Sequence, residues 1–198
     1  MREVVIVPTG TANTASVIAA FKRLDVEPVL ATKPEEVEGA DRVVLPGVGA
    51  FAPAVNRIDQ LGMREALTTR IEEDRPTLAI CLGMQLLCAA SEESPDTAGL
   101  GIVPETVTRF SGDLPVPQLG WNMVEPNGST SLAPGWAYFA NSYKVPRLPD
   151  SWSGATTDYG GTFVSAMERG AVLACQFHPE LSGTWGSNLL RRWLWKVA

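Results

Sequence analysis

Four short apolar runs near the start of the chain constrain its fold more than any other feature. They are EVVIV (3–7), VEPVLAT (26–32), RVVLP (42–46) and TLAI (77–80). Segments of helical character separate them. Val17, Ile18, Phe21 and Leu24 recur at helical spacing within 14–24, and residues 53–73 read as helix interrupted near Leu61-Gly62. MQLLCAAS (84–91) reads as a further helix, which would put Cys88 two turns beyond Cys81. Strands alternating with helices predict a parallel sheet with right-handed crossovers.

From Gly99 to about Ala174 the pattern changes. This stretch is rich in Pro, Gly and aromatic residues and carries the short runs VTRF, NMVE, AYFA, TFVSAM and AVLACQF. These predict a mixed or antiparallel extension of the sheet. SNLLRRWLWKV (187–197) predicts a closing helix. No linker, repeat or low-complexity segment interrupts the chain, so residues 1–198 are read as a single domain.

Composition narrows the function classes. Hydrophobic residues make up 45% and charged residues 19%, which excludes a disordered chain. A net charge of −6 without a dense Lys/Arg cluster argues against nucleic acid as a partner. No apolar run has transmembrane length, and MREVVIVPTG lacks the features of a signal peptide. Three cysteines without a CxxC point to a reducing cytoplasm, and one histidine without a thiol pair argues against a metal site.

In an open α/β sheet, ligands collect at the carboxyl ends of strands. PTGTAN, PGVGAF, CLG and HPE all stand at such ends. TLAI-Cys81-Leu82-Gly83-MQLL has the order strand, nucleophile, small residue, helix, the form of a nucleophile elbow. The helix start would favour a thiolate and a developing oxyanion. The elbow pattern also has glycine two residues before the nucleophile, where this chain has Ala79. A buried structural cysteine is the alternative for Cys81. Cys88 and Cys175 are read as core.

A thiol nucleophile needs a base. His178 is the sole histidine and ends an apolar strand, although a capping or surface role is the plainer reading of a lone histidine. Glu180 follows two places on. If the chain stays extended through Pro179, both side chains point one way, and Glu180 can hold the ring toward Cys81. The PGVGAF segment (46–51) could donate to an oxyanion together with the N–H of Leu82. A simple loop glycine pair is the alternative there.

PGVGAF, PTLAICLGMQLL, SEES, PQLGWN, YFANSY and QFHPE, in that order and with TGTAN before them, resemble the class I (triad-type) glutamine amidotransferases. The likeness is to the branch that serves imidazole glycerol phosphate synthase, and it spans essentially the whole chain. It implies a flavodoxin-like, open, mostly parallel α/β sheet with helices on both faces. It implies a glutaminase in which Cys81 attacks the side-chain amide of glutamine, His178 moves protons and Glu180 orients it, with no cofactor. Gln85 and Glu93 match positions that hold glutamine, Asn141, Ser142 and Tyr143 add contacts, and the 47–49 backbone (Gly47, Val48, Gly49) matches the oxyanion strand. The implied partner is a (β/α)₈-barrel cyclase, paired one to one. Ammonia would pass to it and yield imidazole glycerol phosphate and aminoimidazole carboxamide ribotide in histidine biosynthesis. Asn13, Trp121, Tyr138, Phe139 and Leu181 are candidates for the docking face.

Departures from the family pattern are Ala79 for glycine, Asn141 and Gln118 for histidine, and Leu181 for a basic residue. They keep open a paralogous glutaminase feeding another synthase, such as a sugar amidotransferase. A cysteine hydrolase acting on esters or peptides, and a binding module with an inert thiol, are further alternatives.

Overall fold

A computed structural model describes residues 2–10, 14–128 and 132–195. The first half contains β1 (Arg2–Ile6), α1 (Thr14–Lys22), β2 (Val26–Leu30), α2 (Pro34–Gly39), β3 (Val43–Leu45), α3 (Phe51–Gln60), α4 (Met63–Glu72), β4 (Thr77–Ile80) and α5 (Leu82–Leu86). Then come β5 (Cys88–Ser91), β6 (Val103–Arg109), β7 (Gln118–Asn127), β8 (Gly135–Asn141), β9 (Tyr143–Lys144), β10 (Ser153–Asp158), β11 (Thr162–Arg169) and β12 (Val172–Cys175). A 3₁₀ turn (Pro179–Leu181) and α6 (Gly183–Trp195) follow.

Among the described residues, nine strands form one sheet in the order β2-β1-β3-β4-β12-β11-β10-β7-β8. The pairs from β2 through β12 are parallel, and those from β12 to β8 are antiparallel. The parallel part has the 2-1-3-4 order of a flavodoxin-like sheet, with its last place filled by β12. The expected fold is therefore the observed one.

Side-chain alternation along the central strands builds two cores. Val4, Ile6, Val44, Leu78 and Ile80 face α1 and α6, where Phe21 meets Trp193 at 6.2 Å between rings. Val5, Val7, Leu45 and Ala79 face α3 and α4. Phe51, Ala54, Val55 and Ile58 form one stripe of α3, as helical spacing requires. Gly62 at φ +67° separates α3 from α4, at the break expected near Leu61-Gly62. Buried Arg70 of α4 donates to the carbonyls of Val37, Ala40 and Pro76 and to Thr77 Oγ1, closing the amino end of the sheet. No helix among the described residues is long and apolar enough to cross a membrane.

Two expectations are corrected. The helix read over 84–91 ends at Leu86, and Cys88–Ser91 is strand β5, paired with β6 in a three-stranded sheet with β9. Tertiary pairing overrides the helical tendency of Cys-Ala-Ala there. Gly99 lets the chain press so close that a Cβ would lie 2.0 Å from the Cys88 carbonyl oxygen. Cys88 is core, but not on the nucleophile's helix. The strand β10 (SGATTD) and the helix α2 carry too little apolar periodicity to be read from sequence.

Candidate active site

The sheet delivers a thiol and an imidazole from two adjacent parallel strands. β4 ends at Ile80, and Cys81 turns sharply with φ +53° and ψ −109°. A non-glycine residue there is strained, and the surroundings must hold it. The Cys81 N–H donates to the Cys175 carbonyl at 2.7 Å, and its own carbonyl accepts from the N–H groups of Met84 and Gln85. The turn also needs Gly83, since a Cβ there would stand 2.0 Å from the Leu45 carbonyl oxygen. Ala79, by contrast, sits in regular register with Leu45 and Ala174, and its methyl packs in the core.

Beyond Cys175 the chain continues past the end of β12. The chain bends at Gln176 and Phe177, so that Phe177 packs into the α1/α6 core while Gln176 and His178 both reach Cys81. His178 Nδ1 lies 2.8 Å from Glu180 Oε1, and the two side chains are only 4% and 5% exposed. A carboxylate can only accept, so Nδ1 carries the proton and Nε2 remains for the sulfur. Burial is the largest influence on this histidine and opposes its charge. The hydrogen bonds and charges of Cys81 and Glu180 together outweigh it and raise His178 to about 10. The residue is built to accept and hold a proton.

The route to this pairing differs from the expected one. Glu180 lies in the 3₁₀ turn rather than in extended chain, and the turn swings its carboxylate back to the ring. Ser182 locks the turn, donating to the His178 carbonyl at 2.6 Å and accepting from the Tyr138 N–H at 2.9 Å.

A cleft of about 120 Å³ opens beside Cys81, lined by Val48, Gly49, Leu82, Gln85, Glu93, Ala140 and Asn141–Tyr143. Residues from β4, from the turn after β5 and from the β8 end thus converge as the sequence suggested. Glu93 Oε2 accepts from the Phe51 N–H at 2.7 Å, tying the start of α3 to the cleft. Asn141 Nδ2 donates to the Tyr143 carbonyl at 2.9 Å, and its Oδ1 is buried without a partner.

One expected oxyanion donor is not free. The N–H of Leu82 donates to the Gly47 carbonyl at 3.2 Å, so one expected donor is occupied by the strand expected to supply the other. α5 also has only five residues, so its end offers a short dipole.

One site residue escaped the sequence reading. Gln176 Nε2 lies 3.5 Å from Cys81 Sγ, and its Oε1 accepts from Gln85 Nε2 at 2.9 Å. No local signal marks it, since Gln176 lies in a bend just past the end of β12 and two residues before the histidine. The other thiols are set apart. Burial, then Glu105, pushes Cys88 up to about 12, and burial, then Glu180 and Cys81, raises Cys175. Among the described residues no group of three or more His, Cys, Asp or Glu could hold a metal.

On the outer surface Trp121 is 54% and Leu181 42% exposed. Tyr138 is half-buried and meets Trp121 edge-on at 6.2 Å between rings. Phe139 belongs instead to the core against Phe163 and Phe177, which removes it from the docking candidates. Asn13 lies outside the described residues.

A strained thiol, a charged-partner imidazole and a small polar cleft can perform nucleophilic substitution at an acyl carbon. Comparison with known proteins agrees in kind. The glutamine amidotransferase class-I family matches residues 5–197. Imidazole glycerol phosphate synthase subunit HisH of Symbiobacterium thermophilum is 42% identical over 198 residues, covering 98% of this chain and 93% of that one. Imidazole glycerol phosphate synthase hisHF, chloroplastic, of Arabidopsis thaliana is 40% identical, over 93% of this chain and 33% of its own length. A crystal structure of a glutamine amidotransferase superposes with a TM-score of 0.78 at 24% identity, covering 96% of each chain.

Proposed function

Because the chain belongs to the class-I glutamine amidotransferases, and among them to the HisH family, we propose that Cys81, His178 and Glu180 hydrolyse glutamine for imidazole glycerol phosphate synthase. The observation that carries this reading is the grouping of Cys81, His178 and Glu180 past the ends of two adjacent parallel strands, beside a polar cleft of about 120 Å³. Glutamine enters with its side-chain amide carbon at Cys81 Sγ. The thiolate sulfur, its proton already held on the His178 ring, forms a bond to that carbon. The imidazolium gives the proton to the amide nitrogen, the C–N bond breaks and ammonia leaves. Water then adds to the thioester, giving up its proton to the ring, and glutamate departs as the thiolate re-forms beside the imidazolium.

The buried, unpartnered Asn141 Oδ1 suits the α-ammonium of glutamine, and Gln85, Glu93, Ser142 and Tyr143 complete the substrate cleft. The Leu82 N–H becomes an oxyanion donor once the Gly47 carbonyl releases it, and the Gly47–Gly49 strand supplies the second donor. With the Leu82 N–H occupied, the isolated chain is expected to turn over slowly, and the loaded partner to relieve the block.

Ammonia released into water would be protonated and lost as a nucleophile, so it needs a sheltered path. The partner is a cyclase subunit of (β/α)₈ form, paired one to one, docking on the face that carries Trp121, Tyr138 and Leu181. The subunit name of the bacterial relative, and the greater length of the Arabidopsis one, fit a synthase of two parts. Residues 1–198 act as one amidotransferase domain. Three buried free thiols suit a reducing cytoplasm.

The test is glutamate release by wild type and Cys81→Ala, alone and with the cyclase and its ribotide ligand, beside a product assay supplied with ammonium salt. Loss of the glutamine-driven reaction with retention of the ammonia-driven one is the expected result. A wild type that stays silent beside the loaded cyclase would overturn the reading.

A further inference from the structure

Gln176 has no part in the scheme above, yet its side chain touches the reacting atom. It is fully buried, and its amide bridges two groups of the site. The direction of that amide is fixed by elimination. The Tyr143 carbonyl can only accept, so the atom of Gln85 3.1 Å from it is Nε2. That same Nε2 faces Gln176 at 2.9 Å, so the facing atom of Gln176 is Oε1. Its Nε2 is then left to point at Cys81 Sγ, 3.5 Å away. A backbone carbonyl on the rim of the cleft thereby orients an N–H donor toward the sulfur, through two amides.

We propose that Gln176 is a further catalytic residue, whose amide N–H stabilises the Cys81 sulfur as thiolate, and that Gln85 is the positioning residue that aims it. An N–H donor binds an anionic sulfur more strongly than a neutral thiol, so the contact favours the charged form. It acts on the attacking thiolate. It acts again when the deacylating tetrahedral intermediate expels the sulfur as its C–S bond breaks. Because Tyr143 lines the cleft, glutamine that moves the 141–143 segment would reach the sulfur through this relay. The titratable groups around that sulfur are His178 and Glu180 after β12, Cys175 on β12, and Glu93 across the cleft. Gln176 differs from all of them in carrying no charge at any pH.

The proposal rests on Cys81 as the nucleophile, and alkylation tests the two separately. Iodoacetamide would be applied to the full chain between pH 5 and 10, with modification at Cys81 read by peptide mass. Buried Cys88 and Cys175, both raised, provide internal references. In Gln176→Leu the pH of half-maximal rate is expected to move up by about one unit. A more basic thiolate is also more nucleophilic, by roughly threefold per unit. The profiles should therefore cross, with the variant about threefold slower at low pH and about threefold faster at the plateau. For glutamine hydrolysis beside the loaded cyclase, kcat should fall about tenfold while KM stays within about twofold. Gln176→Glu keeps the shape but removes the donor, and it should move the profile the same way. It also decides the matter if the leucine variant fails to fold. Profiles that superimpose on wild type, or that drop uniformly without crossing, would overturn the proposal. A wild-type Cys81 that resists alkylation, with a Cys81→Ala variant that still hydrolyses glutamine, would remove the nucleophile itself and the proposal with it.

Discussion

The parallel and antiparallel halves of the one sheet differ in what covers them. Strands β3, β4 and β12 are buried at every residue, between α1 and α6 on one side and α3 and α4 on the other. Strands β7 and β8 alternate between buried and open positions, and their outer face carries exposed Leu119, Trp121 and Trp136. A sheet covered on both faces can hold a strained Cys81 and a buried His178 against solvent. A sheet with one bare aromatic face leaves surface that only another molecule can bury. In the proposed function, chemistry and docking fall to two ways of finishing the same sheet, joined where His178 N–H donates to the Tyr138 carbonyl at 2.9 Å.

If the parallel half owns the chemistry, breaking it there should have the largest effect. His178→Ala removes the base and is expected to lower glutamine turnover beside the loaded partner by about 10³–10⁴-fold, with the ammonia-driven product assay unchanged. Next comes the close packing that holds the elbow. Gly83→Ala forces a methyl against the Leu45 carbonyl and should cost about 3 kcal/mol in denaturant unfolding. Gly39→Ala has nothing within 4 Å and should stay within about 0.5 kcal/mol of wild type. Equal costs at the two glycines would mean that the elbow is not held by its neighbours.

The same division explains what could be read from sequence. Fully buried strands announce themselves as continuous apolar runs, so EVVIV, RVVLP and TLAI were legible as strands of a parallel sheet, while the flavodoxin-like arrangement came from the family likeness. The grouping of Cys81, His178 and Glu180 was legible because the elbow order and the family likeness pointed to the same strand ends, although Glu180 reaches the ring from a 3₁₀ turn rather than from extended chain. The antiparallel half gave weaker signals, since its strands are half-polar, and SGATTD has no bulky residue to mark it. Gln176 was hidden for another reason. Its role depends on the register of β12 against β4, which sets residue 176 beside residue 81 and is a property of pairing rather than of local sequence. The occupied Leu82 donor likewise depends on a carbonyl from a different strand end.

Smaller effects test the bare face. Trp121→Ala should leave the isolated chain within about 0.5 kcal/mol of wild type, yet weaken cyclase binding about thirtyfold, as loss of an aromatic anchor does. Phe139→Ala, one strand away but in the core, should instead cost about 3–5 kcal/mol of folding stability. Titration calorimetry beside denaturant unfolding separates the two. If Trp121→Ala destabilises the free chain as much as Phe139→Ala does, the outer face is a core in its own right and the comparison fails.

The smallest effect concerns the proton at the junction of the halves. His178 is raised from 6.5 to about 10, with burial opposing and the hydrogen bonds and charges of Cys81 and Glu180 prevailing. A group that holds its proton more tightly when folded adds stability in full below its unfolded value. That stability is lost as the pH rises through the folded one. Unfolding of wild type should therefore show a contribution on the order of 1 kcal/mol that is present at pH 6 and fades toward pH 10. Cys81→Ala should flatten that decline, because Cys81 supplies the first of the influences that raise the ring. Glu180→Gln should flatten it too, through the loss of the 2.8 Å contact at Nδ1. A wild type without the decline would mean that the resting site holds a neutral thiol and a neutral imidazole. The proton would then move only when glutamine arrives, and the relay through Tyr143, Gln85 and Gln176 would be the place to look for what moves it.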